Sequence, residues 1–542
     1  MQIPAQSDGG AVAYKWLVAL VVIFGAFMSI LDQTIVNIAI PRLQNAFGAD
    51  LNSVQWVLTA YILTQGVVTP TTAFFANRLG VKRFYVIALS LFTVGSALCG
   101  LSWSLPVLII FRIIQGIGGA FLFPVAITML YREFPPNQRG LASGIFAIAA
   151  LLAPAVGPTL GGYIVTYADW PLIFFINVPI GILGVILAIF LLREGREEGR
   201  SSFDVTGFAL AAVGLAALLY ALSDASTDGW SSAKVLAFLL GGILVLVLFV
   251  IVELTLTRRE RQALVDLRLF ANLPFLTSNI ANMLITFAFF GGLFIFPVYL
   301  QNLRGLNAFQ SGLLLLPQAF ASIVSALIGG RIVDRVGVRV VVIPGLLILA
   351  FTLWQFTFLT LDTPYGWLQW MFVLRGIALG LIIQPLNVSA LSDIHPRQFA
   401  QASSLYTVVR FVSTSLGIAV LATLVQTQAR VHYSHLAELV TPASPLGQLI
   451  PRLQQLFFSH GIALQNARAA AIQTVIRLVQ RQGYMLALLD AFWLTLAVIL
   501  AALVATFFIR SRQRTVVALS ADSVQDEDEQ EREALLQALA SE

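Results

Sequence analysis

Apolar runs of about twenty residues or more, broken by short clusters of Arg, Gly, Pro and Asp, set the pattern of this 542-residue chain. At 1.5 Å rise per residue, such a run crosses the hydrocarbon core of a bilayer as a helix. The runs are apolar on all sides and lack the period-two alternation that membrane strands require. Spans are predicted near 15–41, 54–76, 84–103, 106–130, 141–167, 171–192, 204–222, 235–256, 274–301, 311–330, 338–361, 367–391, 399–429 and 485–509. The class this dictates is an all-α membrane protein with about 14 transmembrane helices. Two stretches break the pattern. Residues 430–484 carry Arg430, Glu438, Arg452, Arg468, Arg477, Arg481 and several prolines, with an amphipathic stretch from Ala467 to Val479, and are expected as a loop outside the membrane. Past Ser520 the run Asp526 to Glu531 makes an acidic tail, expected to be solvated or weakly helical.

Composition excludes the soluble alternative. Charged residues are 11% and hydrophobic residues 58%, with a mean hydropathy of +0.86. Soluble chains carry roughly 25% charged residues to cover their surface. The net charge of +5 is no nucleic-acid signal, because the excess Lys and Arg sit at helix ends rather than on one basic face. Those cations give an orientation instead. One side collects Lys15, Arg78, Lys82, Arg83, Arg132, Arg139, Arg193, Arg196, Arg200, Arg258, Arg259, Arg261, Arg268, Arg331, Arg335, Arg339, Arg397, Arg510, Arg512 and Arg514. The other side's short loops offer Arg42, Lys234 and Arg304. Both termini are therefore expected in the cytoplasm, which requires an even number of spans and places 430–484 outside. The single cysteine, Cys99, lies in an apolar run, so no intrachain disulfide and no redox site is implied. The first apolar stretch, Trp16 to Ile40, is long enough to stay as a spanning helix, so no cleaved signal is expected.

The two halves of the chain repeat each other. Leu51-Asn52…Gln55 answers Leu306-Asn307…Gln310, and Asn77-Arg78-Leu79-Gly80-Val81-Lys82 answers Asp334-Arg335-Val336-Gly337-Val338-Arg339. Phe111-Arg112-Ile113…Gly116…Gly118 answers Leu374-Arg375-Gly376…Gly380, and Pro136…Gln138…Ala142-Ser143 answers Pro396…Gln398…Ala402-Ser403. The nearly constant offset implies two six-helix bundles in the same orientation, with two helices inserted between them. The expected division is 1–200 for the first bundle, 201–270 for the inserted helices and linker, 271–510 for the second bundle with its 430–484 loop, and 511–542 for a cytoplasmic tail. Parallel halves of this kind build the major-facilitator transporters, whose substrate path lies between the halves.

Particular motifs resemble the fourteen-helix drug/proton antiporters of that superfamily, the EmrB/QacA branch. They are Leu31-Asp32-Gln33-Thr34-Ile35-Val36-Asn37-Ile38-Ala39-Ile40-Pro41, Arg112-Ile113-Ile114-Gln115-Gly116-Ile117-Gly118, Gly157-Pro158…Gly161-Gly162, Phe174-Phe175-Ile176-Asn177-Val178-Pro179-Ile180-Gly181 and Leu264-Val265-Asp266-Leu267-Arg268-Leu269-Phe270. The resemblance implies the major facilitator fold and a multidrug efflux antiporter of the bacterial plasma (inner) membrane, driven by a proton gradient with no bound cofactor and no metal. Asn77, Arg78, Gly80, Asp334, Arg335 and Gly337 are its implied cytoplasmic gate, and Gly157, Pro158, Gly161 and Gly162 its antiporter motif. The chain departs from the branch where Gly and Asp are usual in the first loop motif and Ala73 and Asn77 stand here. The second copy, Gly330…Asp334-Arg335…Gly337, is intact, so a charge latch is expected on the second half.

Proton coupling needs a group that binds and releases a proton within the membrane. The histidines His395, His432, His435 and His460 fall outside the predicted spans, which leaves carboxylates. Asp32 lies well inside its span, Asp490 just within the last one, and Asp204 and Glu253 near cytoplasmic ends, Glu253 as an interfacial residue. A carboxylate in an apolar helix is costly unless paired or wet, so it usually marks a pathway. Burial disfavours a carboxylate's charge and a nearby cation favours it, so a change of surroundings loads and unloads a proton. Asp32 is the chief candidate; the alternative is a permanently paired, silent aspartate. The resemblance makes Arg112 its modulator, against a donor to backbone carbonyls that stabilises the bundle. Arg410 sits deep in its span, and Arg375 holds the position equivalent to Arg112. With Asp490 they are the secondary candidates. Asn37, Gln65, Gln115, Gln384 and Asn387 are polar positions expected to line the cavity.

The chain has no Walker A loop, no His-Glu-x-x-His pair and no cytoplasmic loop long enough to hold a nucleotide-binding domain, which argues against an enzyme or an ATP-driven pump. A facilitator or symporter of the same fold, or an exporter of lipid or cell-envelope precursors, remains a rival. The second-half spans carry no carboxylate before Asp490, which points to monocationic, neutral or weakly acidic amphiphiles as cargo. Expected partners are the bilayer, these small amphiphiles and protons, with a periplasmic adaptor if the cell has two membranes.

Overall fold

In a computed structural model, residues 8–49, 51–194, 203–258, 265–391, 394–395, 398–460 and 463–507 are described. The acidic tail and Arg196, Arg200, Arg259, Arg261, Arg397, Arg510, Arg512 and Arg514 lie outside them. Glycine and proline punctuate a chain that is otherwise helix. The first half runs α1 (Asp8–Phe47), α2 (Leu51–Val68), α3 (Thr72–Leu79), α4 (Val81–Gly100), α5 (Leu105–Glu133), α6 (Arg139–Tyr167), α7 (Leu172–Phe175) and α8 (Asn177–Leu191). The inserted pair is α9 (Val205–Asp228) and α10 (Ala233–Arg258). The second half runs α11 (Leu273–Val298), α12 (Ala308–Val336), α13 (Val338–Phe356), α14 (Tyr365–Leu391), α15 (Phe399–Glu438), α16 (Pro445–Ser459) and α17 (Leu464–Phe507). No strand occurs among the described residues. This is the major facilitator fold: two six-helix bundles and two extra helices.

Thirteen helices among the described residues are long and apolar enough to cross a membrane. The predicted span 54–76 is the exception, because it is broken into α2, a 3-10 turn at Thr69–Thr71 and α3. Pro70 carries no N–H and cannot extend the α-helical ladder. Thr69, Thr71 and Thr72 turn their hydroxyls onto the carbonyls of Gln65, Val68 and Thr69, at 2.7, 2.8 and 2.6 Å. The sequence repeat is also a repeat in backbone. Gly80 (φ 82°) ends α3 and Gly337 (φ 89°) ends α12, and in each case the next helix starts at once. A left-handed φ at that corner favours glycine.

The stretch expected as a loop at 430–484 is helical. α15 is 40 residues and α17 is 44, so each is about 60 Å long or more, twice the hydrocarbon core. Both therefore run on past the bilayer, and α16 packs on the extension of α17. The expected amphipathic stretch buries Ala467, Ala471, Val475 and Val479 at helical spacing and exposes Arg468 and Arg477.

Hydrogen bonds between the halves gather at one end of the bundle, here called the gate end. Asp334 accepts from the backbone N–H groups of Gly140 (2.7 Å) and Leu141 (3.0 Å) at the start of α6. Ser403 donates to the Pro124 carbonyl (3.2 Å), and Ser404 to that of Thr69 (2.8 Å). The longest seam between the halves is α6 on α12, and small residues close it. A Cβ on Gly330 would strike the Gly140 carbonyl, and one on Gly144 would lie 2.8 Å from that of Ala326. Small residues allow this approach of backbones. Gly330→Leu is expected to lower unfolding stability by about 1–3 kcal/mol or to spread the seam. Thermal unfolding in detergent, with cysteine cross-linking across α6 and α12, reads this; a variant that melts and cross-links like the parent defeats the packing argument.

Candidate functional site

Asp32 and Arg112 meet at the middle of the first half. Arg112 stands seven residues into α5, where α2 and α4 close on it because Gly95, Gly116, Gly118 and Gly119 leave no Cβ in the way. Arg112 Nη1 donates to Asp32 Oδ2, and neither side chain has any solvent exposure. Asp32 Oδ1 accepts from Gln115 Nε2 at 2.9 Å and from Asn177 Nδ2 at 3.1 Å. Arg112 also donates to Gln115 Oε1 (2.8 Å) and, through Nε, to the Val57 carbonyl (2.9 Å). Its guanidinium lies 4.0 Å from the centroid of the Tyr61 ring. Asn177 reaches Ser96 (3.2 Å), which donates to the Phe174 carbonyl (2.9 Å). Arg112 Nη2 and Asn177 Oδ1 have no hydrogen-bond partner among the described residues. The pair is thus dry, well held and incompletely satisfied, which makes it sensitive to any change of charge.

The antiporter-motif glycines sit one turn away. A Cβ on Gly157 would strike Thr34, and one on Gly161 would crowd Ile35, so α6 rides on α1 just beyond Asp32. Gly162 is buried, and Pro158 falls within the unbroken α6.

The remaining residues fall elsewhere. Gln115 belongs to the ion-pair network rather than to open space. Gln384 and Asn387 are buried and bonded to each other at 2.9 Å, while Asn37 is exposed. Gln65, fully enclosed, accepts from Gln33 at 2.7 Å. Arg375 stacks 4.7 Å from the Phe296 ring and donates to Gln318 (3.0 Å), with no carboxylate beside it among the described residues. Arg410 lies over the Phe123 ring, 3.5 Å from its centroid. At the gate, Asp334 bridges the halves, whereas Asn77 Oδ1 is buried without a hydrogen-bond partner. Arg78 lies 5.8 Å from the Phe74 ring, and Arg335 is exposed. Glu253, expected at the interface, is fully buried against Gly207, where Asp204 caps α9.

Two partners escaped the sequence reading. Asn177 lies within the Phe174–Gly181 motif, and an amide at that depth is its signal in the sequence. His432 falls outside the predicted spans, yet α15 continues and brings its Nε2 to 2.7 Å from Asp490 Oδ2.

The family model described as Major Facilitator Superfamily matches residues 22–418. The chain belongs to the major facilitator superfamily. It is a multi-pass membrane transporter and not an enzyme. It is 33% identical over 494 residues to the uncharacterized MFS-type transporter YhcA of Bacillus subtilis, covering 91% of this chain and 92% of that protein. It is 30% identical over 488 residues to the multidrug export protein EmrB of Escherichia coli K12, covering 89% and 93%. Among solved structures, that of the human organic anion transporter MFSD10 (TETRAN) shares the superfamily's fold, with a TM-score of 0.57, 13% identity, and coverage of 90% of this chain and 99% of that one.

Removing either partner of a buried ion pair strands the other charge, at about 3–5 kcal/mol. Asp32→Leu and Arg112→Met are each expected to lower stability by that order, and the double variant by distinctly less than their sum. A double-mutant cycle from denaturant or thermal unfolding reads the coupling; strict additivity contradicts the pairing.

Proposed function

We propose that this transporter exports small amphiphilic compounds across the bacterial plasma membrane in exchange for protons, by alternating access, with Asp32 as the proton carrier. The observation that carries the reading is a fully buried carboxylate whose counter-ion, Arg112, cannot give up its own charge. Protonation of Asp32 leaves Arg112 to the Val57 carbonyl and Gln115 alone, and it weakens the tie from Asn177. α1 is then free to shift against α6 at Thr34 and Ile35, and α6 carries that shift to its seam with α12. Deprotonation restores the clamp.

The positive-inside rule supports a cytoplasmic position for the gate end. Lys15, Arg78, Lys82, Arg83, Arg132 and Arg139 collect there on short connections, as the positive-inside rule requires of the inner face. Both termini then lie inside, and the helical extension of 430–484 lies outside, where an adaptor would meet it in a double-membrane cell. The similarity to EmrB over 89% of the chain supports drug export.

Reconstituted into proteoliposomes with an imposed pH gradient, the parent is expected to accumulate amphiphilic dyes. Asp32→Asn is expected to keep dye binding while its accumulation drops to the level seen without a gradient. Undiminished pumping by that variant removes Asp32 from the coupling step, and gradient-driven movement of labelled lipid in place of dyes favours the lipid-exporter reading.

A further inference from the structure

We propose that Arg410 anchors a cargo site between the halves for aromatic amphiphiles bearing a negative charge, such as a carboxylate. The site rests on the export reading above and specifies its cargo. Ser403 and Ser404 seal α15 against Pro124 and Thr69 at the gate end. Arg410 lies seven residues beyond Ser403, on the same helix face and about 10 Å further from the seal. Its guanidinium leans across the junction onto Phe123 of α5, 3.5 Å from the ring centroid, with the Phe411 ring at 5.7 Å. Phe123 in turn meets Phe146 edge to face at 4.9 Å, so the cation rests on a small aromatic wall.

What sets Arg410 apart is what it lacks. Arg112 has a carboxylate, an amide and a backbone carbonyl, and Arg375 has the Gln318 amide. Among the described residues no hydrogen-bond acceptor and no carboxylate reaches Arg410, and the residue keeps part of its surface accessible. A guanidinium offers five N–H donors and cannot be deprotonated in a protein. Stacking on a ring attracts the charge but satisfies none of those donors. They are left for whatever enters between the halves.

The field around the site favours an anion. Asp32 is fully enclosed and engaged by Arg112. α11, α13 and α14 carry no acid, and on α12 the acid is Asp334, held at the gate by two backbone N–H groups. Gln33 and Asn37, the accessible polar groups flanking Asp32 on α1 with Thr34, are neutral. A carboxylate matches the guanidinium fork with two parallel hydrogen bonds, and an aromatic body fits the stacking face that arginine presents. A cationic cargo would instead bring like charge to an arginine with no acid between them.

Three probes that share one ring system test this: 2-naphthoate, 2-naphthamide and a 2-naphthyl trimethylammonium. Binding to purified protein in detergent, without a gradient, is measured by calorimetry. The parent is expected to bind naphthoate at least about tenfold more tightly than the amide, and the cation most weakly. Arg410→Gln is expected to weaken naphthoate by about ten- to a hundredfold and bring its ratio to the amide near one. Arg410→Lys, a point charge without the fork, is expected to fall between. Equal binding of the three probes by the parent, or preference for the cation, overturns the proposal even if no variant folds. So does an Arg410→Gln variant that loses amide and carboxylate alike, which marks a packing role. Gradient-driven uptake by the parent and by Asp32→Asn is measured separately. Anion preference with undiminished uptake by Asp32→Asn sinks the coupling role and leaves this site standing.

Discussion

A carboxylate and a guanidinium with no solvent exposure are costly to place inside a membrane protein, and the first half is arranged around that cost. Their attraction offsets the lost hydration only when the geometry is close and the remaining lone pairs and protons find partners. Those partners come from α2, α5 and α8: the Val57 carbonyl and Tyr61 ring, Gln115, and Asn177. Bringing so many helices to one point requires backbones to approach where side chains would normally hold them apart. Gly95 and Gly118 admit α4 to α5, Gly116 admits α2, and Gly119 sits against Gln65 and Tyr61. The glycines and the ion pair are thus one arrangement: the close approach the glycines allow brings the pair its partners.

The same logic of close approach ties the ion pair to the gate. α6 has two small-residue faces, with Gly157 and Gly161 on α1 and Gly140 and Gly144 on α12. At its start, two backbone N–H groups that no helical carbonyl can satisfy are taken by Asp334. The positive end of a helix dipole and a carboxylate attract, so the second half holds the first through a contact that needs no basic side chain. A helix clasped on both faces transmits displacement, because tightly packed backbones leave little room to absorb it locally.

Much of this was legible in the chain. The apolar runs placed the helices, the repeat anticipated matching breaks at Gly80 and Gly337, and the scarcity of intramembrane acids singled out Asp32. What escaped did so for physical reasons. The polar composition of 430–484 says that the chain leaves the bilayer, but not that the helix stops there, so the approach of His432 to Asp490 was hidden. Backbone donors leave no mark in a sequence, so Asp334 showed a charge without its partner. Gln115 and Asn387 look like cavity residues because amides are rare in apolar helices. A buried amide that bonds a buried neighbour has the same composition, and only packing separates the two.

The two halves share a backbone plan yet differ in chemistry. Arg112 and Arg375 hold equivalent positions, but the first faces a carboxylate and the second an amide and a ring. Neither Gln318 nor Phe296 changes charge with pH, so neither of the partners of Arg375 among the described residues responds to a proton. At the gate the asymmetry is reversed. Asp334 of the second half makes the latch, while Asn77 of the first presents a buried oxygen with no hydrogen-bond partner. On the proposed mechanism the first half therefore senses the proton, and the second half holds the latch and the cargo cation. On that mechanism the repeat offers two equivalent sets of positions, and their different partners divide the labour. A motion started at Asp32 has a direct route to Arg410, because its partner Arg112 and the ring beneath Arg410, Phe123, both stand on α5, which α15 packs against.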